Sequence, residues 1–410
     1  MPTIRALGQN LAFARRSLRR EAGLTILVVT TLAFGIGTST ATDASAQLKF
    51  VSLDIRVPVP PTPFVADGKT HLVYELRITN LDRGQLTVSA IDVYADSSRN
   101  PLVTRSGGEL ETDASFAGAP ASGNPLALPT GRQTLVYLWV TLPGGTAAPA
   151  MLRHRLTVLV TDSSGKATTD TVGRFLVPVH AAAPLVLSAP FTAGPWVALD
   201  GPSNTSGHRR SAVPLNGQAR IGERFATDWV KLGTDGRAFH GDSLVNRNWY
   251  GYGTPVFAVA DGIVTQTKDG IIENVPFSPT MAVPITLETV GGNHVILDVG
   301  AGHYAFYAHL QPGSLKVKRG EKVRRGQPIG SLGNSGHSTA PHLHFQVTDG
   351  NSPLGSEGLP WVWDRFEQLD WLKPGFEALV GRLLGGWHPS APPTPKRNQA
   401  TLENMIVRFP

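Results

Sequence analysis

The sequence predicts a mainly β chain: an immunoglobulin-like β-sandwich followed by a compact, strongly curved antiparallel β domain. Two patterns carry this expectation. Between Gln47 and Ala183 apolar residues recur with period two, as in Leu72, Tyr74, Leu76 and Ile78, with Glu75, Arg77 and Thr79 on the other face. From Tyr252 onward, short alternating runs are punctuated by closely spaced glycines, as in Val317 to Leu332, which suits short strands joined by tight turns. A length of 410 residues also exceeds one ordinary domain.

Bulk composition narrows the chemistry. With 41% hydrophobic and 17% charged residues the chain reads as globular. It contains no cysteine, which excludes disulfides, thiolate catalysis and Cys-ligated metal. A metal site must therefore draw on His, Asp or Glu. The net charge is +6, and half of it resides in the first 46 residues, where five arginines face only Glu21 and Asp43. The mild basic bias of the remainder suits an anionic polymer such as a cell wall. No basic-aromatic pattern points to nucleic acid.

The first 46 residues read as an export signal. Arg5, Arg15, Arg16, Arg19 and Arg20 precede the uncharged, apolar run Leu24 to Gly37, and Ala44-Ser45-Ala46 supplies a small-residue cleavage site. The competing reading is an uncleaved anchor, since extension to Ala41 gives about 18 residues, near the lower limit for a span. Membrane contact is expected only through this segment, if it stays attached.

Residues 47–183 form the expected sandwich. Besides the run at Leu72, alternation appears at Leu135-Tyr137-Trp139 and Leu156-Val158-Val160, between loops rich in Gly, Pro, Ser and Ala. His71, His154 and His180 are isolated here, and isolated histidines are expected to be structural. The domain reads as a spacer or binding module, linked through His180 to Pro195 to the second half of the chain.

Residues 184–375 carry the chemistry, with 376–410 expected as a tail. Eight of the twelve histidines lie between His208 and His344. His342 and His344 flank one residue, so on a strand both imidazoles face one side. His309 sits in a second apolar strand pattern. Asp228 is a lone carboxylate among apolar neighbours in ERFATDW, and a buried carboxylate needs a cation or a metal. Two histidines and one carboxylate with a water in the fourth position form a standard catalytic zinc arrangement. The competing reading, that each histidine serves packing alone, weakens as the second strand and the carboxylate are added.

The segments YGTPVFAVADGIV, GNHVILD, YAFYAHLQPGSLKVKRGEKVRRGQPIG and GNSGHSTAPHLHFQV, in this order, resemble the lysostaphin/LytM-type zinc endopeptidases of bacterial cell walls. The resemblance covers about 170 residues and implies a duplicated hybrid motif of antiparallel strands. It implies zinc as cofactor, with Asp228 and His344 as ligands and His309 and His342 as the catalytic imidazoles. It implies peptidoglycan peptides as substrate, the D-amino-acid-containing bridges of the wall. One departure stands out. The family usually places a histidine ligand four residues before this aspartate, where this chain has Arg224, which stays protonated and cannot ligate. His208, in a loop leading into the strands before Asp228, is the expected replacement; His240 is its rival. A degenerate module that binds or activates another wall hydrolase is the alternative to an enzyme. Gln346 also stands where many relatives carry Glu, which is expected to alter hydrogen bonding near the pair without removing the metal.

If Ala44-Ser45-Ala46 is a cleavage site, amino-terminal sequencing of exported material is expected to start at Gln47. An intact leader on that material would favour the anchor.

Overall fold

Strand β3 (Lys69–Asn80) shows why the first half folds as it does. Leu72, Tyr74, Leu76 and Ile78 project from one face and are fully buried. They meet Val136, Leu138 and Val140 of the adjacent β8 (Gln133–Leu142), and across the core Val88, Ile91 and Val93 of β4 (Gln85–Ala95) and Leu156 and Val158 of β9 (Met151–Thr161). One sheet has the order β1 (Leu53–Arg56), β3, β8, β6 (Ala114–Phe116), with β2 (Phe64–Ala66) also on β3. The other runs β10 (Ala167–Pro178), β9, β4, β5 (Val103–Ser106), with β7 (Ala127–Leu128) also on β4. The short helix α1 (Gly107–Thr112) adds Leu110 to the core between them. This computed structural model describes residues 51–96, 98–118, 123–162, 164–372 and 387–410, so the expected leader lies outside the described residues.

The opposite face of β3 is also buried. His71, Val73 and Glu75 are shielded there, as are Leu135 and Tyr137 of β8, because the second half of the chain covers this face. Phe64, Ala66 and Val73 belong to the same apolar cluster as Trp196, Trp361 and Phe409, and Leu135 and Tyr137 pack on Ile221. Polar groups on such a face must be paired, and His71 is: Trp139 Nε1 donates to its Nδ1, and its Nε2 donates to the Ala66 carbonyl.

Among the described residues the second half is built on an eleven-stranded sheet. Its order is β11 (Leu185–Leu187), β23 (Trp361–Trp371), β25 (Met405–Phe409), β12 (Ala193–Leu199), β15 (Thr227–Lys231), β22 (Leu343–Thr348), β19 (Tyr304–Leu310), β18 (Asn293–Asp298), β17 (Gly262–Lys268) and β20 (Lys322–Val323), with β24 (Thr394–Gln399) also on β23. Its neighbours are antiparallel except β11 and β23. Two antiparallel pairs stand apart among the described residues: the hairpin β13 (Val213–Leu215) with β14 (Gln218–Arg220), and β16 (Pro255–Phe257) with β21 (Pro328–Ser331). The mainly β, antiparallel expectation therefore holds.

Two segments outside the expected strand regions contribute strands to the large sheet. The expected linker at His180 to Pro195 contains β11, which pairs with β23. The segment 376–410, expected as a tail, ends inside the sheet, where β25 lies between β23 and β12. Met405, Val407 and Phe409 fill one side and Ile406 the other. In MIVRF the run Met405 to Val407 and Phe409 are buried, while Arg408 is exposed.

Phe409 packs edge-on against Trp229 and Trp363, with centroids at 5.3 and 5.6 Å. Phe409→Ala is expected to cost about 3–5 kcal/mol in denaturant unfolding. A loss of only about 0.5 kcal/mol, typical of a surface position, would contradict a core role for the terminal strand.

Candidate active site

Strand register assembles the centre of the site. Asp228 on β15 lies directly opposite His344 on β22, and His344 in turn lies opposite Ala308 on β19. Residues paired in this way share a face of the sheet, and His342 joins them two positions before His344. His309 follows Ala308, so strict alternation would send it to the far face. Its φ of +62° breaks that alternation, a conformation rare for a residue with a side chain. The ring of His309 then sits 4.8 Å from that of His342 and 5.8 Å from that of His344, centroid to centroid.

His208 reaches the same place from the loop between β12 and β13. Its Nε2 is 3.7 Å from Asp228 Oδ1, and its ring is edge-on to His344 at 4.7 Å. Asp228 is thus approached by three imidazoles: His344 Nδ1 at 3.0 Å, His342 Nε2 at 3.4 Å and His208 Nε2 at 3.7 Å. All five residues singled out in the sequence line one groove of about 730 Å³. His240, the rival ligand, is exposed, rests against Tyr250 and does not line the groove.

The rings are oriented by acceptors that can only accept. His208 Nδ1 donates to the Asp200 carbonyl at 2.8 Å, His309 Nδ1 to the Ser335 carbonyl at 2.8 Å, and His342 Nδ1 to the Ala340 carbonyl at 2.8 Å. Each bond places the proton on Nδ1 and leaves Nε2 to face the groove. His344 is set the other way. Gln346 donates its amide to the Gly222 and Pro353 carbonyls, which turns Oε1 towards His344 Nε2 at 2.7 Å. That carbonyl oxygen accepts from Nε2, so Nδ1 is the nitrogen left for Asp228 or a metal. The Ser335 carbonyl is held close by Gly292 and Gly336, both at positive φ. A Cβ at Gly292 would lie 2.4 Å from that oxygen, and one at Gly336 would lie 2.3 Å from the Gly292 nitrogen.

Two carboxylates of the site have no sequence signal separating them from other loop acids. Glu223 Oε1 lies 3.7 Å from His344 Nε2. Asp200 holds the His208 loop, accepting from Ser206 Oγ and the Gly207 N–H. Donor atoms of His208, Glu223 and His344 all fall within 4.8 Å of one another, as do those of Asp200, His208 and Asp228. Arg224, by contrast, is buried and turned away from the groove, bonded to Glu75 and Glu357.

Charge couples the groups. Burial disfavours a charged His344, but its hydrogen bond to Asp228, the charge of Asp228 and that of Glu223 prevail and raise it from 6.5 to about 9. Burial would likewise raise Asp228, yet the charges of His342 and His208 hold its carboxyl well below the usual range. Burial and the neighbouring His342 and His344 push His309 well below 6.5, which keeps it neutral at neutral pH.

A β domain that gathers four imidazoles and a carboxylate in an open groove defines a candidate hydrolase centre. Residues 249–355 match the model of Peptidase family M23, a stretch that includes His309, His342 and His344, while His208, Glu223 and Asp228 precede it. The second half of the chain is therefore similar to peptidase family M23 over that stretch. Over 104 residues the chain is 35% identical to peptidoglycan DD-endopeptidase ShyA of Vibrio cholerae serotype O1, covering 25% of this chain and 20% of that protein. Over 75 residues it is 49% identical to lysostaphin of Staphylococcus simulans, covering 18% of this chain and 15% of the relative. Among solved structures, the catalytic domain of that lysostaphin aligns with a TM-score of 0.23 and 24% identity, covering 40% of this chain and 88% of the other. The chain spans about a fifth of the length of the curated relatives it matches.

A raised His344 stabilises the metal-free fold where the proton is bound. That contribution is fully present below about pH 6.5 and is lost as pH rises through about 9, on the order of 3 kcal/mol. Denaturant unfolding in chelator is expected to show this loss between pH 6 and 9.5, and His344→Gln to flatten it. Parent stability that stays constant across the range would contradict the His344–Asp228 pairing.

Proposed function

We propose that the chain is a zinc-dependent endopeptidase that hydrolyses the peptide cross-links of bacterial peptidoglycan. The observation that carries this is the convergence on Asp228 of imidazoles whose outer nitrogens are committed to fixed acceptors. In this reading His208 Nε2, Asp228 Oδ1 and His344 Nδ1 hold the metal. Zinc bonds of about 2.0–2.2 Å in a tetrahedron put neighbouring ligand atoms roughly 3.3–3.5 Å apart. The observed 3.0 and 3.7 Å from Asp228 Oδ1 bracket that separation. The donor set, one imidazole Nε2, one imidazole Nδ1 and a carboxylate held ionised, also suits the ion, whose binding requires His344 to give up its Nδ1 proton.

Bound zinc would supply Lewis acidity towards an amide carbonyl and would acidify a water. The remaining work falls to side chains of this chain. His309, kept neutral with its proton on Nδ1, offers Nε2 as a proton acceptor in the groove. His342 presents Nε2 beside Asp228, on the groove side where charge would develop on a carbonyl oxygen. The rings of His309 and His342 lie side by side, so one can take a proton while the other gives one to the leaving amine.

The degenerate alternative draws its support in the sequence from Arg224. That support weakens here, because Arg224 has a structural place and His208 offers an imidazole in its stead. We also read residues 47–183 as the sandwich, immunoglobulin-like on its strand order, and 184–375 as the peptidase domain. Export through the first 46 residues would bring the domain to its polymer.

Zinc content and peptidoglycan cleavage in three variants test this reading. His208→Ala is expected to lose zinc and cleavage together, and His240→Ala to change neither. His309→Ala is expected to keep zinc and lose rate by about 10²–10⁴-fold, the usual worth of a general base. Full zinc and full activity in His208→Ala would overturn the ligand assignment, and a parent without zinc would overturn the enzyme.

A further inference from the structure

The two segments that bring His208, Glu223 and Asp228 to the groove are tied to one side chain of the sandwich. Glu75, on the face of β3 turned towards the second half, is 2% exposed. Its Oε1 accepts from Arg209 Nε at 2.9 Å and its Oε2 from Arg224 Nε at 2.9 Å. Arg209 directly follows His208, and Arg224 directly follows Glu223 and precedes Asp228 by one turn and a strand start.

We propose that Glu75 is a positioning residue of the metal centre, seating His208 through Arg209 and the Glu223–Asp228 segment through Arg224. The donor set is then complete only when the sandwich is in place. This rests on the metal-site reading given above.

The bonding around Glu75 leaves each arginine no second position. Arg209 also donates to the Tyr74 carbonyl at 3.0 Å, to the Leu138 carbonyl at 3.1 Å and to Asn204 Oδ1. Asn204 in turn donates to Asp113 Oδ1 and to the Tyr137 carbonyl. Arg210 donates to the Asn204 carbonyl and lies over the Tyr137 ring at 5.0 Å. The His208 loop is therefore attached along β3 and β8, whose register sets Glu75 opposite Tyr137. On the other side Arg224 donates to Glu357 Oε2 at 2.9 Å and to the Gly358 carbonyl at 3.0 Å, and Glu357 Oε2 accepts the Ile221 N–H.

Two arginines and two glutamates, all buried, balance in charge. Such a cluster adds little stability over apolar packing, but displacement of any member leaves a buried charge unpaired, so it specifies position. At the other end of the loop the Asp200 carbonyl fixes the His208 ring. Backbone position is thus set by the sandwich, and ring orientation by the loop itself.

The test is zinc affinity of the full chain, measured by competition with a chromophoric chelator at a temperature where every variant is folded. Glu75→Gln and Arg209→Lys are expected to bind zinc at least 10-fold more weakly than the parent. Arg209→Lys keeps the charge balance and loses only the forked geometry, so it carries the decision if Glu75→Gln does not fold. Val158→Ala, which opens a cavity in the other sheet of the sandwich, is expected to lower the unfolding temperature and leave zinc affinity at the parent value. Folded Glu75→Gln or Arg209→Lys binding zinc within twofold of the parent would overturn this proposal alone. A zinc affinity that falls equally in Val158→Ala would also overturn it, since general loosening would then explain the loss. A parent that binds no zinc would remove the metal-site reading and this proposal together.

Discussion

One buried carboxylate, Glu75, is shared by two arginines from two different segments, and much of the architecture follows from keeping it paired. A buried charge without a partner is strongly destabilising, so the segments bearing Arg209 and Arg224 must both reach the same face of β3. That face then cannot be open to water. The second half of the chain covers it, and apolar residues of β2 and β3 join the core of the large sheet. The first half is thereby joined, through Glu75, to the segments that carry His208, Glu223 and Asp228. The sequence offers this domain as a spacer or a binding module, and its outer face is buried against the second half.

Within the groove the decisive constraint is the direction of each imidazole. Three rings give their Nδ1 proton to backbone carbonyls, and the fourth gives its Nε2 proton to a side-chain amide whose orientation two further carbonyls dictate. Outer partners of this kind fix tautomer and aim before any ligand arrives. Gln346 performs this task as a neutral group. Asp228 then brings the rings together electrostatically, and the left-handed turn at His309 places a fourth ring that strand alternation would have lost.

The mainly β fold and the residues gathered in the candidate site are legible in the sequence for physical reasons that are local. His342 and His344 share a face because they are two apart on a strand, and the period-two runs mark strands whatever covers them. Asp228 was legible as a carboxylate in apolar company, and His208 as a histidine in the loop before it. What escaped depends on distant partners. Arg224 read as a defect in the site because Glu75 and Glu357 lie 149 and 133 residues away. The terminal strand read as a tail because its neighbours, β12 and β23, give no sign in its own sequence of which sheet it enters. Glu223 and Asp200 are ordinary loop acids until the fold sets them beside His344 and His208.

The central claim is that His208, carried by a loop locked to the sandwich, completes the donor set with Asp228 and His344. X-ray absorption at the zinc edge of the full-length chain tests it most directly, because scattering from imidazole rings counts them. The account expects two imidazoles with oxygen ligands in the parent, and one fewer imidazole in His208→Ala if zinc remains. A single imidazole in the parent, or a count unchanged by His208→Ala, would contradict it.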